Sequence, residues 1–293
     1  EMGRLKQNHG LLIVDEASMI DLPSAYRLLA EVPSSIAICW VGDPGQLPPI
    51  GPGLFFHRLT TSGAVPSVEL DRIHRQSDTS SIPRVAAAVR LGRWPAVSTF
   101  DPRSPLAEGV WLAPCEQSET LDKTLEIWGA LAGPAPAMDD AASLSMLHAA
   151  DIQIICPIRN GPAGAKEISA AIERGWMIHQ HPIHNLGVSV GSKLLWIRND
   201  YDRPTDRVDA DGNEVKATLM NGTPGAVSRS TAKGAIVSWD DGQELEVKEN
   251  DLKKIERGWA ITVHKAQGSA WDRIVVPLTR SRLLDRTLVY TAM

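Results

Sequence analysis

The sequence is short of cysteine, of surplus basic charge and of long apolar runs, and each shortage narrows what the chain can be. Its three cysteines, Cys39, Cys115 and Cys156, lie too far apart for a metal-ligand pair or a disulfide framework. They point to a reducing compartment, so a cytoplasmic location is expected. No apolar run approaches the roughly 20 residues of a membrane span, so no membrane partner is expected. The opening EMGRLKQNHG is too polar for a signal peptide. A net charge of -5 and a pI near 5.9 exclude a blanket basic surface, so any nucleic acid would meet a local groove. The phosphate-binding pattern G-x-x-x-x-G-K-[ST] is also absent. GVSVGSKL, residues 187–194, only imitates it: the glycine spacing is wrong, and Ser192 separates Gly191 from Lys193.

What is present is ordinary for a globular protein. The chain has 293 residues, 43% hydrophobic and 22% charged, enough for two domains and a small insert. LLIVDE reads as a buried parallel strand, a helix is expected from about Leu22 to Ala30, and SIAICWVGDP reads as a second buried strand. Residues 82–92 carry helical periodicity and a terminal glycine. From about Arg93 to Ala150 the signal weakens, and GPAPAMDDAAS reads as a flexible surface segment. DIQIICP restores a buried strand, followed by a helix over Ala163 to Glu173. RVDADGNEVKATL carries a hairpin signal, and the stretch from NGTPGAV to KENDL reads as short strands of a small barrel. Strands are expected again near Ile261 and Ile274. The fold class is α/β with parallel sheets.

Four stretches carry chemistry. In DEASMID, Asp15 at a strand end can hold Mg²⁺ through water, and Glu16 can orient and deprotonate an attacking water. A bare acidic turn after a core strand is the plainer explanation of that pair alone. In VGDPGQLPPIGPG, residues 41–53, Gln46 can donate to a phosphate oxygen and accept from water, held by Asp43, two glycines and prolines; an incidental loop glutamine is the alternative. In LDRIHRQ, Arg75 offers a fork of donors to a γ-phosphate, against the commoner fate of a surface ion pair. In GWAITVHKAQGSAWD, Thr262, His264 and Lys265 suit contact with a DNA backbone. Gln267 and Gly268 open what reads as a helix with free amides for an anion. A structural histidine and a solvated lysine are the alternative there.

Taken together, in order and spacing, DEASMID, VGDPGQLPPIGPG, the RQ pair and WAITVHKAQGS resemble motifs II to V of superfamily 1 helicases, closest to the RecD-like branch. LLDRTLVYTAM resembles the start of motif VI. ICPIRNGPAGAKEIS and KLLWIRNDYD resemble RecD-type connecting segments, and MNGTPGAV through VSWDDG resembles an inserted SH3-type barrel. The resemblance implies two RecA-like motor domains. Residues 1–92 would be the remainder of the first, 93–150 a connecting segment, 151–202 and 253–293 the second, and 203–252 the inserted barrel with a decorating hairpin. It implies ATP and Mg²⁺ as cofactors and 5′–3′ movement on single-stranded DNA, with partner subunits of a nuclease-helicase complex possible. Asp15 would hold the metal and Glu16 would activate water. Gln46 and Arg75 would sense the γ-phosphate, with Gln267 and Gly268 also lining the nucleotide. Thr262, His264 and Lys265 would face the strand. Trp259 or Trp271 would stack on a base or pack in the core. In the family the P-loop lies upstream of DEASMID and a further arginine follows YTAM. The chain is therefore expected to be an inner portion of a longer motor, with negligible ATP turnover of its own. A relaxase-helicase, a non-catalytic DNA-binding module on a decayed motor fold and a metal-dependent nuclease remain as alternatives.

Overall fold

The computed structural model describes residues 10–70, 80–102, 108–135, 148, 151–177, 180–208, 212, 214–240, 242–282 and 284–293. The chain divides into two compact units. One runs to Ser98 and adds residues 108–112 and Asp285–Met293; the other holds Ala113–Leu284 with a short stretch from Thr99.

The first unit begins with a strand–helix–strand crossover. Strand β1 (Gly10–Val14) lies parallel to β2 (Ile36–Trp40), in register from Gly10 opposite Ile36 to Val14 opposite Trp40. Helix α1 (Leu22–Glu31) connects them. Asp21 caps it by accepting from the Ser24 amide at 2.8 Å, and a proline sits in its first turn, where no intrahelical donor is lost. Helices α2 (Phe55–Thr61) and α3 (Ile82–Arg90) follow, then the two-residue strands β3 (Ser98–Thr99) and β4 (Trp111–Leu112). Helix α3 stops at Gly92, whose φ of 72° suits glycine.

The crossover matches the sequence expectation in type and direction but not in burial. Leu11 and Ile13 are each 61% exposed, and Leu22, Tyr26 and Leu29 form an exposed apolar stripe on α1. The reason is local: among the described residues β1 pairs on one edge only, with β2, and Ala25 is the one buried residue of α1.

The second unit opens with α4 (Thr120–Ala132), which the sequence reading passed over. Leu121, Leu125 and Trp128 recur at helical spacing there and face the core. Strand β5 (Ile152–Cys156) is buried at every position, as a central parallel strand requires. Helix α5 (Ala165–Trp176), the short pair β6 (Pro182–Ile183) and β7 (Val188–Ser189), and β8 (Lys193–Trp196) come next. The expected hairpin is present as the antiparallel pair β9 (Asp200–Val208) and β10 (Glu214–Leu219). Strands β11 (Pro224–Ser230), β12 (Gly234–Trp239), β13 (Glu244–Lys248) and β14 (Ile255–Arg257) complete an antiparallel sheet in the order β13-β12-β11-β8-β14. That curled sheet fits the inserted barrel-like part, and it recruits β8 and β14 from either side of residues 203–252. Its own core centres on Trp196, Leu219, Val237 and Val247.

Strand β15 (Ala260–Thr262), the four-residue helix α6 (Val263–Ala266) and β16 (Arg273–Val275) finish the second unit. β15 and β16 flank β5, both parallel to it. A separate core lies under this sheet, where Trp128 meets Trp176 and Trp259 edge to face at 4.7 and 5.7 Å. The last helix, α7 (Arg286–Thr291), belongs to the first unit. Asp285 caps it at the Leu288 amide, 2.9 Å away, and it packs on α3 with Leu288 and Ala292 buried.

Candidate functional site

In the first unit the acidic turn and the glutamine loop meet at the C-terminal ends of β1 and β2. The Val41 amide donates to Val14 and the Ala17 amide to Val41, each at 2.8 Å, so the two chains leave the sheet side by side. Gly42 suits that closeness: a Cβ there would lie a tight 3.0 Å from the Ser18 nitrogen. Asp15 is exposed, and its carboxylate accepts from the Glu16 amide at 2.8 Å. Glu16 holds a left-handed backbone, φ 50° and ψ 38°, a conformation disfavoured for a residue with a side chain. Gln46 is half-buried, and its backbone N–H donates to the Asp43 carbonyl at 3.1 Å.

The residues beside Gln46 are fixed in turn. Asp43 accepts from the Gly45 amide at 2.7 Å and from the Tyr290 hydroxyl at 2.7 Å. The Leu47 amide donates to the Thr291 hydroxyl at 2.8 Å. Burial, then the Asp43 hydrogen bond and charge, push the Tyr290 phenol up to about 12, against a smaller opposing effect of Arg90. Arg75 lies outside the described residues.

The strand-end residues of the second unit sit together on β15 and α6. Thr262, His264 and Lys265 are all half-buried. Lys265 is paired: its Nζ lies 2.8 Å from Glu256, whose other oxygen takes Arg159 at 2.5 Å. Burial works to raise the Glu256 carboxyl, but the Lys265 hydrogen bond and the two cations outweigh it and hold it below the ordinary value. Gln267 and Gly268 do not open a helix. They close α6, with Gln267 as its C-cap and Gly268 at φ 77°, so no row of free amides faces an anion there. Trp259 is a core residue, 1% exposed; its indole donates to Glu173 at 2.9 Å. Of the two tryptophans considered for base stacking, only the half-buried Trp271 retains an accessible face.

Comparison with known proteins fits these two strand ends. A family model described as an AAA domain matches residues 2–109, and one described as a UvrD-like helicase C-terminal domain matches 257–293. The ATP-dependent RecD2 DNA helicase of Deinococcus radiodurans is 31% identical over 288 residues, covering 97% of this chain and 35% of that protein. The RecBCD enzyme subunit RecD of Mycolicibacterium smegmatis is 29% identical over 289 residues, covering 97% of this chain and 48% of that protein. The chain is a homologue of the RecD-like helicases. It spans between a third and a half of the length of these two relatives. A crystal structure of Pif1 helicase from Bacteroides with ADP-AlF3 and single-stranded DNA shares the fold, with a TM-score of 0.52 at 18% identity, covering 98% of this chain and 68% of that one.

Among the described residues of the RecD-like chain, no group of three or more His, Cys, Asp or Glu could hold a metal ion. One exposed carboxylate at a strand end suits Mg²⁺, which keeps several waters and shares its remaining ligands with phosphates. A nuclease metal cluster has no support among those residues. Sequence reasoning missed Glu256, which is 97 positions from Arg159, and it missed the roles of Tyr290 and Thr291, which are 247 and 244 positions from their partners. No local pattern announces such long-range pairs.

Proposed function

We propose that the RecD-like chain is part of an ATP-dependent DNA helicase that moves 5′ to 3′ on single-stranded DNA. One observation carries this reading: the Asp15–Glu16 turn and the Gln46 loop emerge together from the C-terminal ends of adjacent parallel strands, where open α/β sheets place ligands. Residues 1–92 supply the remainder of the first RecA-like domain. By the resemblance, residues 151–202 and 253–293 belong to the second and 203–252 to the inserted barrel, although α7 packs within the first compact unit.

Asp15 would be the residue that holds Mg²⁺, which would supply positive charge beside the phosphates. Glu16 would orient the attacking water and take its proton, and Gln46 and Arg75 would sense the γ-phosphate. Bound ATP with Mg²⁺ supplies the anhydride whose cleavage drives the motion. Thr262 and His264 contact strand phosphates, and Lys265 adds positive charge beside them. One relative is named as an ATP-dependent DNA helicase and the other as a subunit of the RecBCD enzyme, so the whole protein acts either as such a helicase or as a subunit of a larger enzyme.

No P-loop pattern occurs within residues 1–293. Loss of even one preorganised donor costs about 2.7–4 kcal/mol of barrier. These residues alone therefore turn over ATP negligibly. The test is phosphate release with and without single-stranded DNA, on residues 1–293 and on the full-length protein, followed by unwinding of forks bearing one 5′ or one 3′ tail. The expected result is an inactive short form and a full-length protein that opens only the 5′-tailed fork. Unwinding from the 3′ tail alone, or DNA-stimulated turnover by the short form, contradicts the reading.

A further inference from the structure

The loop that carries Gln46 is not held by its own unit's sheet alone. Asp43, Gly45 and Leu47 bracket Gln46. Asp43 accepts the Tyr290 hydroxyl at 2.7 Å, and the Leu47 amide donates to the Thr291 hydroxyl at 2.8 Å. The Thr291 hydroxyl in turn donates to the Thr287 carbonyl at 2.7 Å, which leaves its oxygen to accept from Leu47. Gly45 sits against the same helix: a Cβ there would come within 3.3 Å of both the Tyr290 ring and the Arg90 Nε. Leu47 is 5% exposed, so an unmade bond at its amide would leave a buried donor unsatisfied. Arg90 stands on α3 beside Asp43 and Tyr290 and pairs with Glu69 at 3.1 Å.

These bonds join two parts of the chain that the family matches separate. Gln46 belongs to the AAA-domain match at 2–109, and α7 to the UvrD-like C-terminal match at 257–293. We infer that Tyr290 and Thr291 are positioning residues for Gln46, and that the Tyr290–Asp43 and Thr291–Leu47 bonds couple the nucleotide-facing loop to the C-terminal segment. The coupling rests on the functional reading above; the positioning does not. Displacement of α7 breaks two of the bonds that bracket Gln46, and rearrangement of the loop around a γ-phosphate pulls on α7 through the same two bonds.

The test uses Tyr290→Phe, which removes the hydroxyl and keeps the ring; Thr291→Val, with Thr291→Ser as the conservative rescue; Asp43→Ala; and the Tyr290→Phe/Asp43→Ala pair. Hydrogen exchange on the 293-residue chain reads positioning without reference to activity. The Gly45, Gln46 and Leu47 amides should exchange about ten-fold faster in Tyr290→Phe and in Thr291→Val, return toward wild type in Thr291→Ser, and leave the Leu12 and Val14 amides unchanged. Unchanged loop amides, or equal acceleration throughout β1 and β2, overturns the positioning. Steady-state kinetics on the full-length protein read coupling. DNA-stimulated kcat should fall about ten-fold in Tyr290→Phe with KM for ATP within about two-fold, and the double variant should be no worse than the poorer single one. Additive losses overturn the coupling. A wild-type protein with no DNA-stimulated turnover sinks the helicase reading and the coupling with it, while hydrogen exchange still decides the positioning.

Discussion

Arg203 and Asp251, 48 positions apart, meet through two parallel hydrogen bonds at 3.0 and 2.8 Å. The guanidinium also donates to the Glu246 carbonyl at 2.6 Å and lies over the Trp196 ring at 4.9 Å, so the pair ties the base of the β9–β10 ribbon to the antiparallel sheet. Both residues are more than nine-tenths buried. Burial tends to raise the Asp251 carboxyl, but the Arg203 hydrogen bonds, the Lys248 amide and nearby cations hold it below 3.8. A depressed carboxyl stabilises the fold fully above its unfolded value and loses that contribution as pH falls through the folded one. Stability of the chain should therefore decline below pH 3.8, and Asp251→Ala should remove part of that acid-sensitive decline. At neutral pH the same substitution leaves the buried guanidinium with Asp200, 4.0 Å away, as its remaining carboxylate and should cost up to about 3–5 kcal/mol in urea denaturation. A loss well under about 1 kcal/mol, as for an exposed pair, contradicts the assignment.

The left-handed backbone of Glu16 yields a prediction in which stability and activity move oppositely. Glycine adopts that region without the penalty of about 1–2 kcal/mol that a side chain brings. Glu16→Gly should raise the melting temperature of the chain. In the full-length protein the same change should cut DNA-stimulated ATP turnover by about 10²-fold or more, because the proton acceptor is gone. A variant that gains no stability would show that the turn relaxes in solution.

Glu256 holds both Arg159 and Lys265, so neither cation is fully available to a phosphate. Glu256→Gln should release both and tighten single-stranded DNA binding. The slope of log K against log salt should steepen by about 0.7 for each freed cation that reaches the strand. Fluorescence anisotropy over a salt series reads the slope. An unchanged slope would place these cations away from the DNA path.

Much of this was legible in the residues themselves. The parallel character of β1, β2, β5, β15 and β16 follows from continuous apolar runs, and the β9–β10 hairpin from Asp-Gly-Asn between β-prone flanks. Motif order also anticipated that the acidic turn and the glutamine loop leave the ends of adjacent strands, while Arg75 lies outside the described residues. Burial did not follow: Leu11 and Ile13 look like core residues in sequence, yet a strand paired on one edge leaves them 61% exposed. Helix α4 escaped notice because its Leu121, Leu125 and Trp128 repeat lies inside a Pro- and Ala-rich stretch that dilutes the signal. The helix expected at Gln267 failed because Val263–Ala266 already uses the helical turn and Gly268 ends it.

The two tryptophans of the VHKAQG region should separate experimentally. Trp259 is packed against Trp128 and His148, with its N–H on a buried Glu173 that also accepts from the Ser192 hydroxyl and the Ser189 amide. Trp259→Ala should cost about 3–5 kcal/mol of stability. Trp271→Ala should leave stability near wild type and weaken single-stranded DNA binding by about 1–3 kcal/mol if its half-open face carries a base. Equal stability losses in both would remove Trp271 as a stacking residue.

The proposed function requires the Asp15–Glu16 turn and the Gln46 loop, at the ends of adjacent strands, to face one triphosphate. Phosphate release stimulated by single-stranded DNA, from the full-length protein and its Glu16→Gln variant, tests that claim most directly. The variant should bind ATP as the wild type does and release phosphate at least about 10²-fold more slowly. Wild-type rates in Glu16→Gln would contradict the account.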